Sequence, residues 1–208
     1  MGLRFSFLLL VLCLEVCAQT SRIFIETIAG AATFDNRPAK ETPIIQPQAV
    51  WVHPNGDLYI SDGNFVVRRV RNGIATIVAG GGTVIDNSLP IPGRTASLDF
   101  PNGLAGTVSG DLYISDVNRN RIQRLNADGT LVTVVGKGTA GYSGDGDRGT
   151  FAELNGPRAL ALSPTGDLFI ADLNNAVIRK YNTQSGAITT YAGRAGGSGT
   201  PGTVDRRF

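Results

Sequence analysis

Three segments of this chain repeat the same order of residues, and this repetition constrains the fold more than any other feature. They read GDLYISDGNFVVRRVRNGIATIVAG (56–80), GDLYISDVNRNRIQRLNADGTLVTVVG (110–136) and GDLFIADLNNAVIRKYNTQSGAITTYAG (166–193). The aspartate at the second position of each segment recurs at intervals of 54 and 56 residues: Asp57, Asp111 and Asp167. Internal repeats of this length indicate an array of similar structural units.

Each repeat is predicted to form four short strands. In the third repeat they are Arg158 to Leu162, Asp167 to Ala171, Val177 to Asn182 and Ile188 to Ala192. Gly, Asn and Asp lie between the strands, where they favour tight hairpin turns. The second strand is apolar almost throughout (LYI, LYI, LFI), as expected of a strand with both faces buried. The sequence therefore predicts an all-β fold, a β-propeller built from four-stranded antiparallel blades.

The repeated motifs resemble those of NHL-repeat β-propellers. The shared pattern is P-x-x-L-A, then G-D-L-[YF]-I-[SA]-D-x-N, then I-x-[RK] and T-x-x-G. The G-Y-S-G-D-G segment between two repeats resembles secreted bacterial NHL proteins and the NHL region of teneurins. This resemblance implies a six-bladed ring that binds proteins or ligands, with a few members that are enzymes.

The spacing of the motifs divides the chain into blades and linkers. The expected parts are a signal peptide (1–18), an orphan outer strand with its linker (19–46), three blades (47–100, 101–156 and 157–193) and a truncated inter-blade linker (194–208). Ile25 to Gly30 matches the outermost strand of a blade but has no inner strands before it. We therefore expect about three blades plus an orphan outer strand, an incomplete six-bladed ring. Either the missing blades of the same ring belong to a longer protein, or two copies assemble into one ring.

The first 18 residues have the pattern of a secretory signal peptide. Arg4 precedes an apolar run from Phe5 to Leu14, and Val16-Cys17-Ala18 fits a cleavage site. The run is too short to span a membrane, so we expect a secreted or periplasmic protein without a membrane span. Removal of the peptide would also remove Cys13 and Cys17, leaving a mature chain without a disulfide or a thiol. The formal net charge of +2 gives no support for a nucleic-acid partner.

One face of the propeller is the expected ligand-binding face. Because strand direction alternates, the loops between second and third strands and the linkers between blades should emerge on the same side. The predicted ligand-binding residues on that side are Asp116, Asn118, Tyr142, Asp172 and Asn174. The competing interpretation is that each Asp-x-Asn forms an Asx turn that caps the end of a strand.

The segment GYSGDGDRGTFAEL (141–154) suggests a calcium site at Asp145 and Asp147. It does not match the EF-hand loop, because Gly156 stands where that loop requires a bidentate Glu. The linker of equal length before it has Leu89 and Ile91 in place of the two aspartates. The carboxylates are thus specific to this linker, either as calcium ligands or as solvated residues, and no other cofactor is expected.

No known catalytic motif is present in the sequence. The single histidine, His53, cannot by itself supply the several ligands of a catalytic metal. A basic residue recurs on each third strand, at Arg69, Arg124 and Lys180, where alternation predicts a solvated face.

We therefore expect a secreted scaffold that binds a protein or a carbohydrate through its loop face. Two alternatives stay open. The chain is a fragment of a lactonase- or lyase-type propeller enzyme whose catalytic residues lie in missing blades, or it is the sensor ectodomain of a larger protein.

Overall fold

The computed structural model describes residues 35–86 and 88–196, which form three antiparallel β-sheets. The predicted signal peptide, the strand expected at Ile25 to Gly30 and residues 197–208 lie outside the described residues.

The first two sheets have five strands each. The first sheet contains β1 (Arg37–Pro38), β2 (Ala49–Val52), β3 (Leu58–Asp62), β4 (Val66–Arg71) and β5 (Ile74–Gly80), in the spatial order β1-β5-β4-β3-β2. The second contains β6 (Ile91–Pro92), β7 (Pro101–Gly106), β8 (Leu112–Asp116), β9 (Arg121–Leu125) and β10 (Thr130–Val135), in the order β6-β10-β9-β8-β7. The same connectivity in both sheets is what a repeated sequence should produce.

The third sheet has four strands that follow one another in space as they do in the chain. They are β11 (Pro157–Leu162), β12 (Asp167–Asp172), β13 (Val177–Asn182) and β14 (Ile188–Gly193). These bounds agree within one residue with the strands predicted from the sequence. The prediction of an all-β fold built from four-stranded antiparallel sheets is confirmed.

The linkers do not follow the expected path. They were expected to stay on the face that carries the loops between second and third strands. Each linker runs along the outermost strand of the sheet that it enters, so that β1 pairs with β5 and β6 pairs with β10. In the third sheet, Arg148 forms the equivalent antiparallel bridge with Ala187. The physical reason is that the fourth strand would otherwise present an unpaired backbone edge. The C-terminal end of each linker lies near the loop that joins second and third strands, where Ile45, Asp99 and Asn155 bind the chain.

A one-turn 3-10 helix docks each linker on the hairpin between third and fourth strands. The helices are Ala39–Glu41, Gly93–Thr95 and Gly149–Phe151. The first residue of each donates its backbone N–H to a hairpin glycine carbonyl, in the pairs Ala39–Gly73, Gly93–Gly129 and Gly149–Gly186. The excursion to this hairpin and back accounts for the length of the linkers.

The apolar core lies between consecutive sheets. Tyr59 and Val67 of the first sheet pack with Leu112 and Ile114 of the second. Tyr113 and Ile122 of the second sheet pack in the same way with side chains of the third, which include Leu168 and Ile170. The first and second sheets thus each bury one face against the sheet that follows.

The outward face of the third sheet is apolar and is not covered by any described residue. Tyr59 and Tyr113, at one repeat position, are only 7% and 2% exposed because the next sheet covers them. Phe169 occupies the same position in the third sheet and is only partly buried. Its ring makes an edge-to-face contact with Tyr191, which is 63% exposed.

Candidate functional site

A buried aspartate ends the equivalent strand of every sheet (β3, β8 and β12). These residues are Asp62, Asp116 and Asp172, and each is 0% exposed. One carboxylate oxygen of each accepts the backbone N–H of the returning linker, at 3.1 Å from Ile45, 2.8 Å from Asp99 and 2.7 Å from Asn155. Each of these linker residues lies two positions before the proline that precedes or opens the inner strand. The aspartates therefore fix the point at which the chain enters each sheet.

The other carboxylate oxygen faces a buried polar side chain on the third strand. Arg68 donates its Nε–H to Asp62 at 2.7 Å, and Gln123 donates its Nε2–H to Asp116 at 2.9 Å. In the third sheet Asn175 donates to Asp172 at 2.8 Å, and the Arg179 guanidinium lies 3.8 Å away. Arg68, Gln123 and Arg179 are at most 2% exposed. Sequence reasoning singled out the neighbouring basic residues instead and missed this set.

Burial shifts the titration of two of these carboxyls. Loss of solvation raises the pKa of Asp116 to about 7, although the backbone N–H of Asp99 and the charge of Arg119 oppose the shift. Burial also raises the pKa of Asp172, against the hydrogen bonds from Asn155 and Asn175. Asp116 and Asp172 were predicted to contact a ligand. Because both are buried and bonded to the chain itself, we assign them the task of positioning the exposed residues next to them.

The exposed asparagines Asn118 and Asn174 follow these aspartates and also bind the linker. Asn118 Nδ2 donates to Asp99 Oδ1 at 2.8 Å, and Asn174 Nδ2 donates to Asn155 Oδ1 at 3.0 Å. Each Asp-x-Asn thus holds one linker residue by both its backbone and its side chain. The Asx turn considered as the alternative occurs in the first sheet, where Asn64 N donates to Asp62 Oδ1 at 3.0 Å.

Asn118 and Asn174 line one cleft between the second and third sheets, which we call the amide cleft. Its volume is about 310 Å³, and its lining residues are Val117, Asn118, Asn120, Ala140, Asn155, Gly156, Arg158, Leu173 and Asn174. The structure thus brings two predicted ligand-binding residues together, and adds two asparagines and an arginine that sequence reasoning missed. The repeated Asp-x-Asn was the available signal for this place in the fold.

Arg158 is the only charged residue in the lining of the amide cleft. It is exposed, and its guanidinium carbon lies 5.9 Å from the ring centroid of Phe100. Its side chain has no ion pair with any residue in the part of the chain that the structure describes. Its backbone carbonyl accepts the Ser115 hydroxyl at 2.6 Å, which fixes the start of β11 to the neighbouring sheet.

Tyr142 and Asp145 lie outside the amide cleft, where they hold the GYSGDGD segment on the third sheet. The buried guanidinium of Arg179 donates to Asp145 Oδ1 at 2.8 Å and to the Ser143 carbonyl at 3.0 Å. The Tyr142 ring lies 5.0 Å from the Arg179 guanidinium carbon, and its hydroxyl is 2.7 Å from Thr190 Oγ1. A buried cation therefore anchors this linker.

The geometry gives Asp145 and Asp147 different surroundings. Asp145 is paired with Arg179, whereas Asp147 Oδ1 accepts the backbone N–H of Arg148 at 2.7 Å. Within 35–86 and 88–196, no group of three or more His, Cys, Asp or Glu residues could hold a metal ion. Calcium binding by the two aspartates stays a prediction, and the guanidinium beside Asp145 opposes it electrostatically.

Comparison with known proteins extends the fold assignment. No family model matches the chain. It is 29% identical over 180 residues to human teneurin-1 and 28% identical over 156 residues to the Arabidopsis thaliana chloroplastic protein SUPPRESSOR OF QUENCHING 1. These matches cover 80% and 70% of this chain but 6% and 15% of the two relatives, so the chain spans a small part of their length.

Solved structures share the arrangement of sheets. Virginiamycin B lyase from Staphylococcus aureus aligns over 73% of this chain and 42% of its own, with a TM-score of 0.51 and 18% identity. A chain of the nidogen/laminin complex aligns over 72% of this chain and 49% of its own, with a TM-score of 0.52 and 16% identity. The fold is a β-propeller. The three sheets can accordingly be called blades, while the number of blades in the ring stays a prediction.

Among the described residues, no helix has the length and the apolar character needed to cross a bilayer.

Proposed function

We propose that this chain is a secreted or periplasmic binding scaffold that takes up a protein or carbohydrate ligand at the amide cleft. The observation that carries the proposal is the bonding of Asn118 and Asn174. Because the Nδ2 of each side chain donates a hydrogen bond to a linker residue, both side chains are held in place before a ligand binds. Groups fixed in advance lose less conformational entropy on binding.

The position of the cleft supports the same function. It lies where two blades and a linker meet, and ligand sites occur preferentially at such junctions between structural units. The likeness to a chain of the nidogen/laminin complex shows that this fold also occurs in a protein–protein complex. The two alternatives, an enzyme of lactonase or lyase type and a sensor ectodomain, have no specific observation in their favour.

We further propose that another blade of the same kind covers the outward face of the third blade. Tyr59 and Tyr113 are buried by the blade that follows each of them, whereas Phe169 and Tyr191 lie on a face that no described residue covers. A face with this composition is ordinarily buried against a neighbour in a repeat protein.

The binding proposal is tested with an array of glycans and extracellular proteins. We expect the Asn118→Ala/Asn174→Ala variant to lose binding to the array members that the wild type retains. A matched control is Ser109→Ala/Thr165→Ala, which alters two exposed side chains in the turns between first and second strands. Binding that survives in the asparagine variant, or that is lost in the control, would place the ligand elsewhere.

A further inference from the structure

The amide cleft has a balanced set of hydrogen-bonding groups. The internal bonds use the Nδ2 of Asn118 and Asn174, and they use the Oδ1 of Asn155 and Asn120, the latter as acceptor for Gly156 N–H at 2.9 Å. Within the described ranges this leaves two amide oxygens (Asn118, Asn174) and two amide NH₂ groups (Asn120, Asn155) without a side-chain partner. The cleft can therefore accept and donate hydrogen bonds at neighbouring points.

A sugar ring matches this pattern, because each of its hydroxyl groups both donates and accepts. An apolar surface for the C–H groups of a ring is also present. Leu173 lines the cleft with 52% of its surface exposed, and Val117 lines it from the neighbouring blade. A peptide ligand would use larger apolar or aromatic pockets as anchors, and the lining contains none.

The positive charge of Arg158 favours a ligand that carries a negative charge. Arg158 is exposed and lines the cleft, and its guanidinium carbon lies 5.9 Å from the centroid of the Phe100 ring. Such a group binds a carboxylate through two parallel hydrogen bonds. The nearby carboxylate of Asp99 does not line the cleft and is already bonded to Asn118. The cation in the cleft is therefore available for an anionic ligand.

We infer that the amide cleft binds a uronic acid, with its hydroxyl groups on the four asparagines and its carboxylate on Arg158. This inference rests on the proposed binding function and names its ligand class. The sugar can be a free monosaccharide or the end of an acidic polysaccharide.

The test is isothermal titration of the chain with D-galacturonate, D-galactose, succinate and a galacturonate oligosaccharide. We expect galacturonate to bind at least tenfold more tightly than galactose or succinate, because only galacturonate has both the hydroxyls and the carboxylate. A stronger response from the oligosaccharide than from the monosaccharide would identify a polysaccharide end as the source. The reverse order would identify the free sugar.

Two variants distinguish an effect of the Arg158 charge on binding from an effect on folding. Arg158→Gln should abolish the preference for galacturonate over galactose with an unchanged melting temperature. Arg148→Gln, at an exposed arginine outside the cleft, should leave the preference intact. Equal binding of galacturonate and galactose, or of galacturonate and succinate, would overturn the inference. If array ligands bind through Asn118 and Asn174 while no uronic acid does, the inference fails and the proposed function stands. If nothing binds at this cleft, both fail.

Discussion

The Asp116 carboxylate accepts its side-chain hydrogen bond from a neutral amide, Gln123 Nε2 at 2.9 Å. At the same place in the preceding blade, the Asp62 carboxylate is paired with the buried guanidinium of Arg68 at 2.7 Å. Among the described residues Asp116 forms no ion pair, and the charges of Arg119 and Arg121 offset the effect of its burial only in part. A buried carboxylate that lacks a counter-charge favours its protonated form.

This difference predicts a pH-dependent stability that originates at Asp116. Its folded pKa of about 7 lies above the ordinary value, so the folded protein holds a proton that the unfolded chain releases between about pH 4 and pH 7. The free energy of unfolding should therefore decrease as the pH rises through this range. Asp116→Asn should remove this part of the decrease, which urea unfolding of both proteins at about pH 4.5 and about pH 7.5 would reveal. Parallel pH profiles for the wild type and the variant would contradict the assignment.

Asp62→Asn serves as the comparison for that experiment. It breaks the buried ion pair between Asp62 and Arg68, so it should destabilise the protein by about 3 kcal/mol at neutral pH.

Removal of the Arg179 guanidinium should release the GYSGDGD segment from the third blade. Arg179→Met leaves Asp172 buried without a nearby cation and removes the bonds to Ser143 and Asp145. We expect a loss of about 3 kcal/mol in the free energy of unfolding. Hydrogen exchange of residues 141–147 should also become faster, since their anchor is lost.

Lys180→Gln is the matched control, because Lys180 is the next residue in the strand and lies on the opposite face. Its contact with Asp167, at 3.9 Å, is partly exposed, so its loss should cost less than about 1 kcal/mol. If the two variants lose equal stability, or if exchange in 141–147 is unchanged in Arg179→Met, the anchoring role is wrong.

The outward face of the third blade should make the 208-residue chain self-associate. Exposed apolar surface of this kind drives association in water. The double variant Phe169→Gln/Tyr191→Lys should lower the apparent mass in light scattering over a concentration series. Val108→Lys, at an 81% exposed position in a turn, should leave the mass unchanged. A wild-type chain that stays monomeric at all concentrations would refute this prediction.

The N-terminal segment predicts a processed secreted protein. Expression in a host with a secretory pathway should yield a mature chain that begins at Gln19, as read by N-terminal sequencing of the exported product. Ala18→Arg should block processing, because the cleavage site requires a small residue there. An exported wild-type chain that retains Met1 would count against the signal peptide.

The repeat was sufficient to predict the strands, because turn residues and apolar alternation are local signals. In the third blade each predicted strand lies within one residue of the observed one. The path of the linkers could not be predicted in this way. The pairing of Ile91 with Leu131 depends on the unpaired edge of a strand that is formed later in the chain.

The buried arginines were missed for a related reason. Alternation predicted a solvated face for Arg69, Arg124 and Lys180, but the first two are partly buried and lie beside Tyr59 and Tyr113 on the face that the next blade covers. Alternation also implied that the other side of the third strand is apolar. Arg68 and Arg179 lie on that buried side, because aspartates on the neighbouring strand or the linker are near enough to pair with them. The amide cleft likewise combines residues from two blades and a linker, so no single stretch of sequence contains its pattern.

Because each linker pairs with the blade that it enters, the repeating structural unit of the chain is one linker together with the blade that follows it. The segment from Gly81 to Gly136 carries the β6 edge, the docking turn at Gly93–Thr95 and all four strands of the second blade. A segment cut at Pro101 instead would leave its outer strand bare and would carry a linker that belongs to its neighbour. A blade that is duplicated or exchanged in this protein therefore keeps all of its strand pairs only when the chain is cut just after the glycine that ends a fourth strand.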